Sequence, residues 1–298
     1  MTDNSKIDEF HLPGVLHRRT PTDGAAPLVF DIPRSGGDYP REFQSPAPFD
    51  AVRRSVSMYV QELYSGAPDH GATWLYALFP NVYIDANRHQ LDVDPAWLRG
   101  EWPEPLETSG KSTRGMGLIP RVCGKGDVAL QTEPITAADL RHRLDNYYWP
   151  YYYWPYHNAL AAILKGFRER HGVALHVSCH SMSSVGGKAV PDPGRVRSDF
   201  DIGTRDGATT APEFADVVVG YLKGAGYDTT LNEHFKGAES VRKHGNPSAG
   251  AHSLQIEINR SIYMDEDSYR RGDRFAEIQR HLSGLAERLA EFARDRAR

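Results

Sequence analysis

Two cysteines in 298 residues, Cys123 and Cys179, are too few for a disulfide framework; this excludes a small stapled scaffold and makes a reducing cytoplasm the simplest setting. No run of about 18 apolar residues occurs, so no membrane-spanning helix is expected. The opening MTDNSKIDEF lacks a basic stretch followed by an apolar core, and no targeting leader is read there. Positive charge is not in excess either: a net charge of -4 offers no field for nucleic acid or an anionic membrane, and neither is expected as a partner. Long repeats, low-complexity tracts and a clean linker are missing as well. What remains, 40% hydrophobic and 25% charged, is an ordinary soluble globular composition. Residues 1–26, polar and rich in Pro and Gly, read as a flexible arm, and 27–298 as a single domain; an oligomer is left open.

The chain is organised around VALHVSCHSM, Val173 to Met182. An apolar β-rich run breaks into the polar group Ser178, Cys179, His180 and Ser181, as a buried parallel strand does where its C-terminal end opens into a site. His180 there could ligate a metal or move a proton, or be satisfied by a backbone hydrogen bond. A cysteine hydrolase built on Cys179 and His180 is disfavoured, because neighbouring side chains on a strand point to opposite faces.

Other segments end in the same way. Pro27 to Ile32 runs into PRSGGDYP, a loop enforced by its prolines and glycines, with Arg34 just past the strand end. Val82 to Ile84 reads as a brief strand leading to Asp85, Asn87 and Arg88, where a guanidinium fork and an amide could hold a carboxylate or Asp85 could pair with Arg88. Residues 114–122 read as another short strand, and 198–210 as a strand among Asp199, Asp201, Arg205 and Asp206. In HSLQIEI, residues 252–258, Leu254, Ile256 and Ile258 face one way and Gln255 and Glu257 the other. A mid-strand carboxylate such as Glu257 is costly unless paired or used.

Helical spacing of Val52, Val56, Tyr59, Val60 and Leu63 predicts a helix over 49–64, with 71–79 prolonging helical structure. Further helices are expected over 137–146, from Tyr156 to Arg170, from Pro212 to Ala225, and through the C-terminal stripe Phe275, Ile278, Leu282, Leu285, Leu289 and Phe292. The aromatic run YYWPYYYWPYH, Tyr147 to His157, could line a substrate mouth, form an interface or simply pack. Strands alternating with helices indicate an α/β fold with a mixed, mostly parallel sheet.

The runs FDIPRSGGDYP, VYIDANRHQLDVDP, GMGLIPRV, PYHNAL, CHSM, DIGTRDG, NEHFKG and SLQIEINRSIYMDE, spanning roughly residues 29–266, resemble the N-formylglutamate amidohydrolase family. The resemblance implies a three-layer αβα sandwich of the zinc-exopeptidase-like kind. It also implies a metal-dependent amidase, with Zn²⁺ as the cofactor, that cleaves the formamide of N-formyl-L-glutamate or a related N-acyl amino acid late in histidine degradation. By the same resemblance His180 matches a metal ligand and Glu257 the catalytic carboxylate that moves protons between water and the leaving amine. Asn87 and Arg88 match a carboxylate-holding pair, and Arg121, Arg205, Arg242 and Arg260 lie in matching segments as further anchors for a small anionic amino-acid derivative.

The sequence also departs from the family pattern. The family's first strand ends in Pro-His-Ser-Gly, its His a ligand; here the run is Pro33-Arg34-Ser35-Gly36, and arginine stays protonated and cannot bind zinc. Of the acids usual in the next helix, Ser55 to Leu63 keeps Glu62. A catalytic zinc wants three protein ligands. Either Glu62, Asp31, Asp201 or His157 substitutes, or the metal is lost and Arg34 supplies the positive charge, leaving a paralogue that binds a small dicarboxylate-like ligand or works by electrostatic stabilisation. In the latter case Arg34 is expected within salt-bridge reach of Glu257 or of a bound anion.

Overall fold

The computed structural model describes residues 6–124, 126–190 and 192–298. Eight strands form one sheet: β1 (Ile7–Leu12), β2 (Leu16–Pro21), β3 (Leu28–Ile32), β4 (Thr73–Ala77), β9 (Ala174–Met182), β10 (Phe200–Gly203), β11 (Thr229–Leu231) and β12 (Ala251–Asn259). Short strands β5 (Leu98–Arg99) with β8 (Ile135–Thr136), and β6 (Val122–Cys123) with β7 (Val128–Ala129), make two separate ribbons. The helices are α1 (Phe49–Arg53), α2 (Val60–Leu63), α3 (Ala137–Arg143), α4 (Trp154–His171), α5 (Pro212–Gly224), α6 (Glu239–His244) and α7 (Phe275–Arg296).

Strand order is β1-β2-β4-β3-β9-β12-β10-β11. The central four, β4, β3, β9 and β12, are parallel to one another, and antiparallel pairing at β2/β4 and β12/β10 makes the sheet mixed. Because side chains alternate along a strand, each central strand has two characters. Leu28, Phe30, Ile32, Leu175, Val177, Leu254, Ile256 and Ile258 all join the core that packs on α5 and α7. The other face, covered by α4 and the segment before it, is apolar at Val29, Leu75 and Ala174 and turns polar toward the strand ends. Helices on both faces make the three-layer αβα arrangement that the family resemblance implied.

Several local expectations change. Residues 7–21 are not an arm: β1 and β2 form a hairpin added to the edge of β4, turned at Pro13-Gly14 with Gly14 at φ 72. A Pro-Gly pair is a type II turn signal, and it was present in the sequence. The helix expected over 49–64 is broken between Arg54 and Tyr59 because its carbonyls are taken from outside. Arg260 donates to the Arg54 and Val56 oxygens, both at 2.7 Å, while the Ser57 N–H bonds Arg34 O at 2.7 Å. Residues 73–77 are strand, not helix, since β2 and β3 flank them. Residues 82–83 are turn and 84 is irregular rather than strand, and of 114–122 only Val122 enters a strand. The aromatic run is a π-helical stretch, Leu144–Tyr153, continuous with α4. Its role is mainly packing: Tyr148 and Tyr152 meet Tyr83 edge-on at 4.7 and 5.3 Å, and the Tyr153 hydroxyl donates to Arg88 O at 2.8 Å, although Tyr151 stays exposed.

Candidate active site

The polar alternate positions of four neighbouring strands share the face covered by α4. In register, Asp31 of β3 lies opposite Ser178 of β9, and His180 of β9 opposite Glu257 of β12, which in turn faces Asp201 of β10. Cys179 points the other way, into the core against α7, and burial pushes its thiol well up; it faces away from His180.

His180 is buried and sits beneath the site. Its Nε2 lies 3.1 Å from Asn87 Nδ2 and 3.0 Å from Ser178 Oγ. The Asn87 carbonyl oxygen already accepts the Ser240 N–H at 3.0 Å, so the amide nitrogen faces the imidazole and donates to it. Nε2 is therefore the acceptor and the ring proton resides on Nδ1, which is buried with no hydrogen-bond partner among the described residues. Desolvation, then the charges of Arg34 and Arg88, hold the ring neutral.

Above this row opens a cleft of ≈ 1090 Å³, part of it open to solvent, lined by Glu257, Asp85, Glu266 and six cations: Arg34, Arg54, Arg88, Lys111, Arg197 and Arg260. Positive charge therefore dominates. Commitments distinguish the cations. Arg260 serves Ser181 Oγ and two backbone carbonyls, and Arg197 is bidentate on Asp192 at 2.9 and 2.7 Å. Arg88 donates to Met116 O and Asn87 O at 2.8 and 2.7 Å. Arg34 has an ion pair with Asp85 at 3.5 Å, and among the described residues its guanidinium makes no hydrogen bond. The expected pairing of Arg34 is thus met by Asp85 rather than Glu257, though Arg34 and Glu257 line the same cleft.

Lys111 was not singled out from the sequence, because the prolines and charges around it, residues 89–113, carry no helical or strand period to point it anywhere. Its ammonium lies 5.0 Å from the Phe235 ring centroid and makes no hydrogen bond or ion pair among the described residues. Burial, then Arg88 and Arg34, push it down to about 7. Glu257 accepts one hydrogen bond, from Gln255 Nε2 at 2.9 Å, and is only 7% exposed. Burial raises its carboxyl to about 7 against the opposing charges of Arg34, Lys111 and Arg197.

The remaining expected residues lie elsewhere or are already engaged. Arg121 binds Asp94 at 2.7 Å over Trp97, outside the cleft. Arg242 is bidentate on Glu239, and Arg205 donates to Gly237 O at 3.2 Å; both line a second hollow that meets the cleft at Arg88 and Lys111. Glu62 pairs with Arg271, packed toward α7. Asp201 accepts from Thr230 Oγ1 and the 233–235 backbone, which sets Phe235 under Lys111. His157 binds Ala86 O at 2.8 Å, and Asp31 joins Tyr156, His176 and Ser178.

A family model described as N-formylglutamate amidohydrolase matches residues 26–264. The chain belongs to the N-formylglutamate amidohydrolase family. It is 31% identical over 257 residues to an N-formylglutamate deformylase of Pseudomonas putida, covering 82% of this chain and 84% of that one. With an N-formylglutamate deformylase of Pseudomonas aeruginosa identity is 28% over 280 residues, 92% of this chain and 96% of the relative. The crystal structure of N-formylglutamate amidohydrolase from Ralstonia eutropha JMP134 superposes with a TM-score of 0.86 at 35% identity, covering 95% of this chain and 99% of that one.

Within this family fold the residues present do not fit the divalent metal that the resemblance implied. Arginine stands at position 34, the one acceptor lone pair of His180 is used by Asn87 and Ser178, and the described residues hold no group of three His, Cys, Asp or Glu able to take an ion. The substitutes considered, Glu62, Asp31, Asp201 and His157, are each engaged by other protein groups.

Proposed function

We propose that this chain is an amidohydrolase cleaving the formamide of N-formyl-L-glutamate, or the amide of a related N-acyl amino acid. One observation carries the reading: a buried carboxyl, Glu257, with a pKa of about 7, opens on a cleft where, among the described residues, Arg34 and Lys111 have no hydrogen-bond acceptor of their own. A carboxyl poised near neutrality suits a group that must accept and return a proton. The relatives' names supply the substrate, and a dianionic amino-acid derivative matches a cationic cleft.

In this mechanism Glu257 takes a proton from a water as the water oxygen attacks the formyl carbon. Charge building on the formyl oxygen faces the guanidinium of Arg34, whose donors are preorganised at the end of β3. Glu257 then passes the proton to the departing nitrogen as the C–N bond breaks, giving formate and glutamate. Lys111 receives a substrate carboxylate, beside the positive charge of Arg88, whose Nη2 is paired with Asp85 at 3.7 Å.

The test is formate release from N-formylglutamate by the purified protein. Glu257→Gln should lower kcat by about 10²- to 10⁴-fold, the scale of a lost general base. If the parent releases no formate, with or without zinc, manganese or cobalt, the hydrolase reading fails and binding of a small dicarboxylate takes its place.

A further inference from the structure

We propose that the positive centre of this site is Arg34 itself, and that the chain takes and processes its anionic ligand with no resident divalent metal. The inference rests on the amidohydrolase reading for its substrate, but its first readouts do not require turnover.

Three observations converge. Arg34 carries a full set of guanidinium donors into the cleft, one side braced by Asp85 at 3.5 Å, the rest without an acceptor among the described residues. A guanidinium so placed is completed by an oxygen ligand with two lone pairs, a carboxylate or a developing oxyanion. Its backbone is fixed for the purpose: Ser57 N–H binds Arg34 O at 2.7 Å, Ser35 Oγ binds Ser57 O at 2.6 Å, and a Cβ at Gly36 would meet Phe79 O at 2.2 Å. The loop therefore sits against the backbone at residues 78–79, and the side chain that follows β3 has little choice of direction. Second, the neutral His180 has spent its one acceptor lone pair on Asn87 and Ser178, so the ring offers nothing to a cation without breaking a buried bond. Third, Arg34 and Arg88 share the cleft with Glu257, and a dication entering among them meets two permanent guanidinium charges, with Lys111 beside them.

The hydrolytic step balances without a metal. Water supplies its oxygen to the formyl carbon and one proton to Glu257; the C–N bond electrons go to nitrogen, which receives that proton, and water's other proton leaves with the formic acid, which ionises; Arg34 only donates hydrogen bonds and is unchanged at the end.

The experiment uses the full chain purified without chelator from cells grown with added zinc. Elemental analysis should find metal well below one equivalent per chain, and added zinc chloride should leave the melting temperature unchanged. N-formylglutamate should raise the melting temperature of the parent but not of Arg34→Ala. Formate release should persist in EDTA and fall roughly 100-fold or more in Arg34→Ala, the scale of a lost oxyanion donor. Arg34→Lys, which keeps charge but loses the planar fork, should recover part of both signals, showing that the alanine variant is folded but empty-handed. One equivalent of metal lost in His180→Ala, EDTA-sensitive turnover restored by zinc, or undiminished ligand stabilisation in Arg34→Ala would each overturn the proposal. If the parent makes no formate, the hydrolase reading falls, while metal content and the Arg34-dependent shift still decide this one.

Discussion

At Glu257 stability and chemistry pull in opposite directions. Burial raises its carboxyl from 4.5 to about 7, so between those values the folded chain keeps a proton that the unfolded chain has released. Stability contributed by this group is therefore full below pH 4.5 and is lost as pH rises through 7. The shift corresponds to about 3 kcal/mol at most, since a full pKa unit is about 1.4 kcal/mol. Glu257→Gln keeps the shape and removes the charge. Urea unfolding should show parent and variant alike near pH 4 and the inactive variant more stable at pH 8 by about 2–3 kcal/mol. His157 and His244, held neutral by burial with values of about 3 and about 2, destabilise the fold as pH drops below 6.5. They do so equally in both proteins and cancel in the comparison. A variant no more stable than the parent at pH 8 would contradict the raised carboxyl on which the general-base role depends.

Among elements, the seam of β3, β9 and α4 carries a buried polar network beneath the row of polar strand-end residues. Asp31 accepts from the Tyr156 hydroxyl of α4 and sits 3.3 Å from both His176 Nε2 and Ser178 Oγ; His176 Nδ1 continues to Ser253 Oγ of β12 at 2.7 Å. Asp31→Ala would leave the Tyr156 hydroxyl and the His176 ring N–H without an acceptor, Ser178 keeping His180, at a cost of about 2 kcal/mol or more, whereas Asp31→Asn keeps one oxygen and should cost less. Denaturant midpoints of the two variants check the order; an alanine variant as stable as the parent would show that the network is not holding these elements. The period-2 character of this seam was legible in HSLQIEI and in VALHVSCHSM, because alternation along a strand translates directly into faces. Which arginines were available was not. A guanidinium in sequence carries no record of whether its fork is filled, and Arg121, Arg242 and Arg260 prove to be taken by Asp94, Glu239 and the broken 54–56 backbone. Lys111 escaped notice for a related reason: its place is set by Phe235 and Asp201, more than 80 residues away along the chain.

For the molecule as a whole, the N-terminal hairpin decides whether the sheet has a protected edge. β2 pairs Leu16 to Arg19 with Ala77 to Trp74, and Leu78 N–H reaches back to Val15 O at 2.9 Å. Val15 and Leu16 are buried there. Deleting residues 1–21 would uncover β4 along its length, with the rings of Trp74 and Tyr76 beside it, and an open edge of that kind templates association. Losing two buried aliphatic side chains costs about 3–6 kcal/mol, which for a domain of this size corresponds to a fall in melting temperature of roughly 10 °C. The site should be largely spared: β4 stands between the hairpin and β3, which leads to Arg34 roughly 10 Å away, and Glu257 on β12 is roughly 20 Å away at the usual spacing of about 4.8 Å between strands. The expected result is a truncated protein that melts earlier and aggregates with concentration, yet binds N-formylglutamate at 15 °C as the full chain does. Scanning calorimetry, light scattering and a thermal-shift titration read the three quantities separately. Were residues 7–21 a frayed arm, as their polar composition first suggested, the cut would leave midpoint and solubility untouched; were the hairpin part of the site, binding would go with it.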